Sequence, residues 1–150
     1  AMRVMRTLNI ARNSFSGVLP EVGIGRGRHR QIVGMLNVEH NRLTGALPEE
    51  GIRTLVSVVF FTASFNSFTG IVPNAFLCMR YVRTLQVDHN FFSGTLPAAL
   101  DGLTTTGILH FNHNYFEGAL PSSIHADEVF VSHNQLAGSI PELLLHCWGI

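Results

Sequence analysis

Residues 89–97 read HNFFSGTLP, residues 40–48 read HNRLTGALP, and residues 113–121 read HNYFEGALP. The rest of the chain falls on the same frame. Asn stands at positions 13, 41, 66, 90, 114 and 134, at intervals of 28, 25, 24, 24 and 20 residues. Two residues after each Asn comes Phe15, Leu43, Phe68, Phe92, Phe116 or Leu136. Two further on is Gly17, Gly45, Gly70, Gly94, Gly118 or Gly138, then an aliphatic followed at once by Pro20, Pro48, Pro73, Pro97, Pro121 or Pro141. Those are all six prolines of the chain, so the register is not an accident of composition. Units of this length cannot each bury an apolar face alone, and they stack to do so.

The residues ahead of each Asn say what stacks. Five and three positions upstream stand Leu8 and Ile10, Leu36 and Val38, Phe61 and Ala63, Leu85 and Val87, Leu109 and Phe111, Val129 and Val131. Apolar residues two apart, separated by polar ones, predict a short strand with one buried face. One such strand per repeat, always in the same sense, predicts a parallel sheet. The Asn amide can both donate to and accept from backbone groups that the following bend leaves unpaired. After each Pro a shorter pattern follows: Phe76 and Met79, Leu100 and Leu103, Ile124, Leu144. A spacing of three predicts a turn of 3₁₀ or α helix on the outer side.

With these residues in place, the chain resembles a leucine-rich repeat protein. The pattern L-x-L-x-x-N-x-F/L-x-G-x-L/I-P over residues 4–145 is similar to the plant-type extracellular subclass, and kinetoplastid surface proteins carry similar S-G-T-L-P repeats. The resemblance implies an α/β solenoid of about six stacked repeats, with the parallel sheet on its concave side and short 3₁₀, α or irregular segments on its convex side. It also implies a second line of short strands along one flank, built from the L-x-G-x-L-P segments. The expected organisation is a single domain over residues 1–150, with repeats at about 4–31, 32–56, 57–80, 81–104, 105–124 and 125–145 and a tail at 146–150. Leu8, Ile10, Phe15 and Leu19 have nothing polar ahead of them to cover the first coil, so the chain is expected to be a segment of a longer protein. Its ends would then meet flanking repeats or another chain.

Composition narrows the function classes. The chain is 46% hydrophobic and 13% charged, with a formal net charge of zero. All ten basic residues are Arg. This balance offers no general attraction to nucleic acid, and no apolar run is long enough to span a bilayer. Cys78 and Cys147 lie more than two repeats apart, beyond disulfide reach in a stacked coil, and both are read as free thiols. No N-x-S/T sequon occurs. The only basic cluster, Arg26, Arg28, His29 and Arg30 within residues 23–31, reads as a solvated insertion loop, with contact to an acidic partner as the functional alternative. G-x-S-x-G and H-E-x-x-H are absent, no Cys sits in a catalytic-type context, and the carboxylates are scattered, so no enzyme and no cofactor is expected.

Function in such a stack belongs to the outward side of the strands, which alternation identifies. The outward position between the two buried strand residues is filled by Asn37, Thr62, Gln86, His110 and Phe130. The next is filled by Glu39, Ser64, Asp88, Asn112 and Ser132, and the one just before the Asn by His40, Phe65, His89, His113 and His133. Adjacent strands lie about 4.8 Å apart, so each set forms a continuous stripe. A mixed polar and aromatic surface suits a protein, peptide or glycan ligand. His89, His113 and His133 on consecutive rungs raise the question of a metal ion, but no Cys or paired carboxylate converges on them, and no metal is assigned. The expected function is non-catalytic recognition at the cell surface or outside the cell, as part of a longer receptor-like protein. The alternative is an architectural segment within a large intracellular assembly or scaffold.

Overall fold

The structure is a computed structural model that describes residues 5–21, 34–104, 106–142 and 144. The basic segment 23–31, Leu143, Leu145 and the tail 146–150 with Cys147 lie outside the described residues.

Each repeat lays down two short strands. In chain order they are β1 (Thr7–Asn9) and β2 (Ser16–Gly17), β3 (Met35–Asn37) and β4 (Arg42–Gly45), β5 (Phe60–Thr62) and β6 (Ser67–Gly70), β7 (Thr84–Gln86) and β8 (Phe91–Thr95), β9 (Ile108–His110) and β10 (Tyr115–Gly118), and β11 (Glu128–Phe130) and β12 (Gln135–Leu136). The odd-numbered strands make one six-stranded parallel sheet in the order β1-β3-β5-β7-β9-β11, the concave sheet of this fold class. The even-numbered strands make the flanking sheet, in the order β12-β10-β8-β6-β4-β2. Register in the concave sheet follows the apolar frame: Leu8 pairs Leu36, Leu36 pairs Phe61, Phe61 pairs Leu85, Leu85 pairs Leu109, and Leu109 pairs Val129. A one-residue slip would turn every one of these side chains to solvent.

The third side of each coil is irregular or helical. The helix α1 (Glu49–Arg53) and 3₁₀ segments at Asn74–Cys78 and Ala98–Gly102 each begin directly after the repeat's proline. Pro48, Pro73 and Pro97 are held in an extended conformation, and each ends the flanking strand and opens the helical turn. Phe76, Met79, Leu100 and Leu103 point inward from these segments and are buried.

Between the three sides runs one continuous apolar core. The residues two after the Asn in the middle repeats form its spine: Phe68, Phe92 and Phe116 are buried and stack at centroid distances of 6.0 and 6.3 Å. The core thins toward both ends, where Leu8, Ile10 and Leu19, and then Val129, Val131 and Leu136, are only partly buried and Phe15 is half exposed.

The Asn residues tie coil to coil. Asn90 Oδ1 accepts from the backbone N–H of Phe68 at 3.0 Å, and Asn90 Nδ2 donates to the carbonyls of Ala63, Val87 and Asp88 at 3.0, 3.1 and 3.1 Å. The same pattern holds at Asn41, Asn66, Asn114 and Asn134, whose Oδ1 atoms accept from Phe15, Leu43, Phe92 and Phe116 of the preceding repeat, each at 3.0 Å. Each amide therefore pairs a backbone N–H of the preceding repeat, and at Leu43, Phe68 and Phe92 that bond is buried.

Two backbone features accompany this turn. Gly45 has φ +75°, and a Cβ there would lie 2.8 Å from Val18 Cγ1, so both conformation and space require glycine. The residue before each Asn is also left-handed, with φ of 56° at Arg12, 50° at His40, 54° at Phe65, 52° at His89, 53° at His113 and 55° at His133. Nothing in the repeat pattern announced this second position.

Candidate functional site

The left-handed residues govern the geometry of the site. At that φ the side chain leaves the strand plane and lies flat against its counterpart on the next rung. His40 stacks on Phe65 at 4.2 Å, Phe65 on His89 at 4.1 Å, His89 on His113 at 4.2 Å, and His113 on His133 at 4.1 Å, with interplanar angles between 6° and 25°. Five rings thus form one ladder along the edge of the concave sheet, where it bends toward the flanking sheet. Arg12 occupies the same column one rung earlier, with its Nε 4.0 Å from a Glu39 carboxylate oxygen.

The next column inward supports the ladder. Its middle members are buried: Ser64 is 3% and Asp88 6% exposed, and Thr62 beside them is 8% exposed. The Ser64 hydroxyl donates to Asp88 Oδ1, and Asp88 Oδ2 lies 2.9 Å from His89 Nδ1. Ser64, Asp88 and Thr62 were expected as ligand contacts. They lie on the outward side of the strands and are buried. The Ser64–Asp88 and Asp88–His89 hydrogen bonds tie this column to the ladder. Glu39, Asn112 and Ser132 continue the column and retain accessible surface.

The column between the buried strand residues is more open. Asn37 is engaged locally, its Oδ1 accepting from the Glu39 backbone N–H at 3.0 Å. The Gln86 amide is hydrogen-bonded to His110 Nδ1 at 3.0 Å, and His110 Nε2 is buried with no hydrogen-bond partner. Phe130 packs edge-on against His110 at 4.6 Å and is 47% exposed. Strand alternation continues this face one position earlier, to Met35, Phe60 and Ile108. Phe60 is 42% exposed at its centre. Counting the alternation back two more residues finds Phe60; the reading of outward stripes stopped short of it.

Phe91 and Tyr115, on the flanking sheet, stack at 6.1 Å and are both exposed. Tyr115, His113, His133, Asn90 and Asn114 line an open depression of about 270 Å³ between the ladder and β10. His113 titrates below the ordinary imidazole range, chiefly because its surroundings desolvate it, and then because His133 and His89 repel its charge; Asp88 opposes the shift.

Among the described residues no group of three or more His, Cys, Asp or Glu side chains is arranged to hold a metal. Cys78 is a free thiol on the convex side. No helix among the described residues is long and apolar enough to cross a membrane.

No family model and no curated protein matches the chain. Solved structures do. The plant peptide hormone receptor RGFR1 in complex with RGF2 superposes with a TM-score of 0.84 at 28% identity, over 95% of this chain and 23% of the receptor chain. PEPR1 in its complex with AtPEP1 superposes with a TM-score of 0.79 at 26% identity, over 87% of this chain and 18% of that one. A plant ice-binding protein shares the fold at 20% identity and a TM-score of 0.77, over 90% of this chain and 43% of that one. The chain spans about a fifth of the length of the two receptor chains. The chain has the leucine-rich repeat fold, and its repeat pattern is similar to that of these plant structures.

Proposed function

We propose that this plant-type leucine-rich repeat segment is a non-catalytic recognition module that binds an extended peptide, or an extended loop of a protein, across the outward face of its concave sheet. The observation that carries the reading is the composition of that face. Phe60 and Phe130 stand half exposed on it, Gln86 and His110 lie between them, and His110 Nε2 is buried without a hydrogen-bond partner. Half-exposed aromatics around a few convergent polar groups are what a peptide needs for anchoring and for orientation. RGFR1 and PEPR1 were solved with RGF2 and AtPEP1 bound, which supports a peptide in this class of fold.

The rungs set the ligand's length. From β3 to β11 there are four steps of about 4.8 Å, or roughly 19 Å, the span of about six extended residues. The test is selection of hexapeptides and octapeptides from a displayed library at pH 7.5, followed by affinity measurements on Phe60→Glu/Phe130→Glu and on Ile71→Glu, a change just past β6 of the flanking sheet. The face variant is expected to lose binding by at least about tenfold, equivalent to 1.4 kcal/mol, and the flank variant to retain it. Equal affinities in all three proteins would overturn the reading.

A further inference from the structure

The ladder has an end without counter-charge. Beside His40 stands Glu39, and beside His89 stands Asp88, at 2.9 Å. The same positions beside His113 and His133 hold Asn112 and Ser132. The rest of the neighbourhood does little to change this. His110 shares the rung of His113, Glu128 begins the last concave strand, and β10 contributes Tyr115 and, two residues on along its exposed side, Glu117. The groups that act on His113 electrostatically are His133, His89 and Asp88. Two stacked imidazoles 4.1 Å apart therefore border the open depression of about 270 Å³, with the Tyr115 ring opposite.

Above the imidazole range this corner is a neutral aromatic pocket. Below it, two positive charges appear side by side with no acid at the position just before either ring, where Asn112 and Ser132 stand. Each raises the cost of charging the other. A carboxylate entering the depression would accept hydrogen bonds from both rings and offset their repulsion, and charge-assisted bonds of this kind are the strong ones.

We infer that His113, His133 and Tyr115 form an acid-gated site for a carboxylate side chain, so that the recognition face takes acidic peptides when its surroundings are acidified. This rests on the reading of the face as a peptide-binding surface and adds a partner class and a control to it. Binding and protonation are reciprocal: an anion that prefers the charged rings must also raise their affinity for protons.

The test uses hexaglutamate and hexaglutamine peptides, titrated into the chain at pH 7.5 and at pH 5.5. Glutamate stays largely ionised at the lower value, with an ordinary pKa of about 4.3, while an ordinary imidazole with a pKa of about 6.5 passes from about one-tenth to about nine-tenths protonated. The control protein is His113→Phe/His133→Phe. Phe65 already occupies this column at φ 54° and stacks on both neighbours, so the variant keeps the ladder and removes its charge. Hexaglutamate is expected to bind the wild type at least about tenfold more tightly at pH 5.5 than at pH 7.5, following the protonated fraction. Hexaglutamine should show no such change, and the variant should lose the pH dependence. Hexaglutamate affinity that does not depend on pH, or that survives in the variant, overturns the inference. So does the absence of hexaglutamate binding at both values. If that absence is accompanied by normal binding of peptides selected at pH 7.5, only the acid-gated site falls; if those fail as well, the recognition face falls with it.

Discussion

Asn90→Ala is the substitution that probes the stack most sharply. The wild-type amide meets four backbone groups, but they would not suffer equally from its loss. The Ala63 carbonyl keeps a donor in Asn66 Nδ2 at 3.3 Å, the Val87 carbonyl keeps Asn114 Nδ2 at 3.1 Å, and the Asp88 carbonyl keeps the Phe65 N–H at 3.0 Å. Only the Phe68 N–H is stranded, inside the core beside the phenylalanine spine. A stranded buried donor costs about 1–3 kcal/mol, and the weakened carbonyl bonds add about 1 kcal/mol, so the expected loss is about 2–4 kcal/mol. Asn13→Ala is the control. That side chain is exposed and donates only to the carbonyls of Ile10 and Ala11, and its removal should cost less than about 1 kcal/mol. Asn90→Asp should be worse than Ala, because whichever oxygen replaces Nδ2 faces three carbonyl oxygens at about 3 Å. Urea melts followed by circular dichroism measure all three. Equal losses below about 0.5 kcal/mol at positions 90 and 13 would refute the argument that the amide ladder holds the coils together.

Phe92→Ala, in the middle of the spine between Phe68 and Phe116, should cost about 3–5 kcal/mol in the same melts. Gly45→Ala should destabilise more than Gly17→Ala. Both need positive φ, at about 1–2 kcal/mol, but only Gly45 has a neighbour, Val18, within reach of the new Cβ. Acidification should lower the melting temperature in a way that His113→Phe reduces. The folded state holds the His113 pKa below its unfolded value, so the unfolded chain takes up that proton first. Stability is then intact above about pH 6.5 and declines as pH falls through the lowered folded value. A melting temperature with the same pH dependence in wild type and His113→Phe would contradict this.

The stacking of the chain was legible because it rests on spacing. Leu36 and Val38, Phe61 and Ala63, and Leu85 and Val87 alternate with polar residues, and all six turned out buried. Asn, Gly and Pro mark the bends by their backbone chemistry, so the turn at each Asn and the helical start after Pro48, Pro73 and Pro97 followed from residue type. The site was legible only in part, for two physical reasons. Alternation says which way a side chain leaves the strand, but not whether its neighbours cover it; Ser64 and Asp88 leave outward and are still buried. The ladder itself depends on a left-handed φ shared by Arg12, His40, Phe65, His89, His113 and His133, residue types with no common side-chain signature. His is enriched in that conformation, but Phe and Arg are not. The acidic residue beside His89, by contrast, was visible in the sequence as Asp88.

The claim that most of the account serves is that ligand binds on the outward side of the concave sheet. Photo-crosslinking tests it most directly. A benzophenone amino acid is placed in turn at Phe60, at Phe130, at Ile71 just past β6 of the flanking sheet and at Tyr81 on the convex side, all exposed positions. Each protein is irradiated with a peptide selected at pH 7.5. The account predicts peptide adducts at positions 60 and 130 and none at 71 or 81; adducts at 71 or 81 with none at 60 and 130 would contradict it.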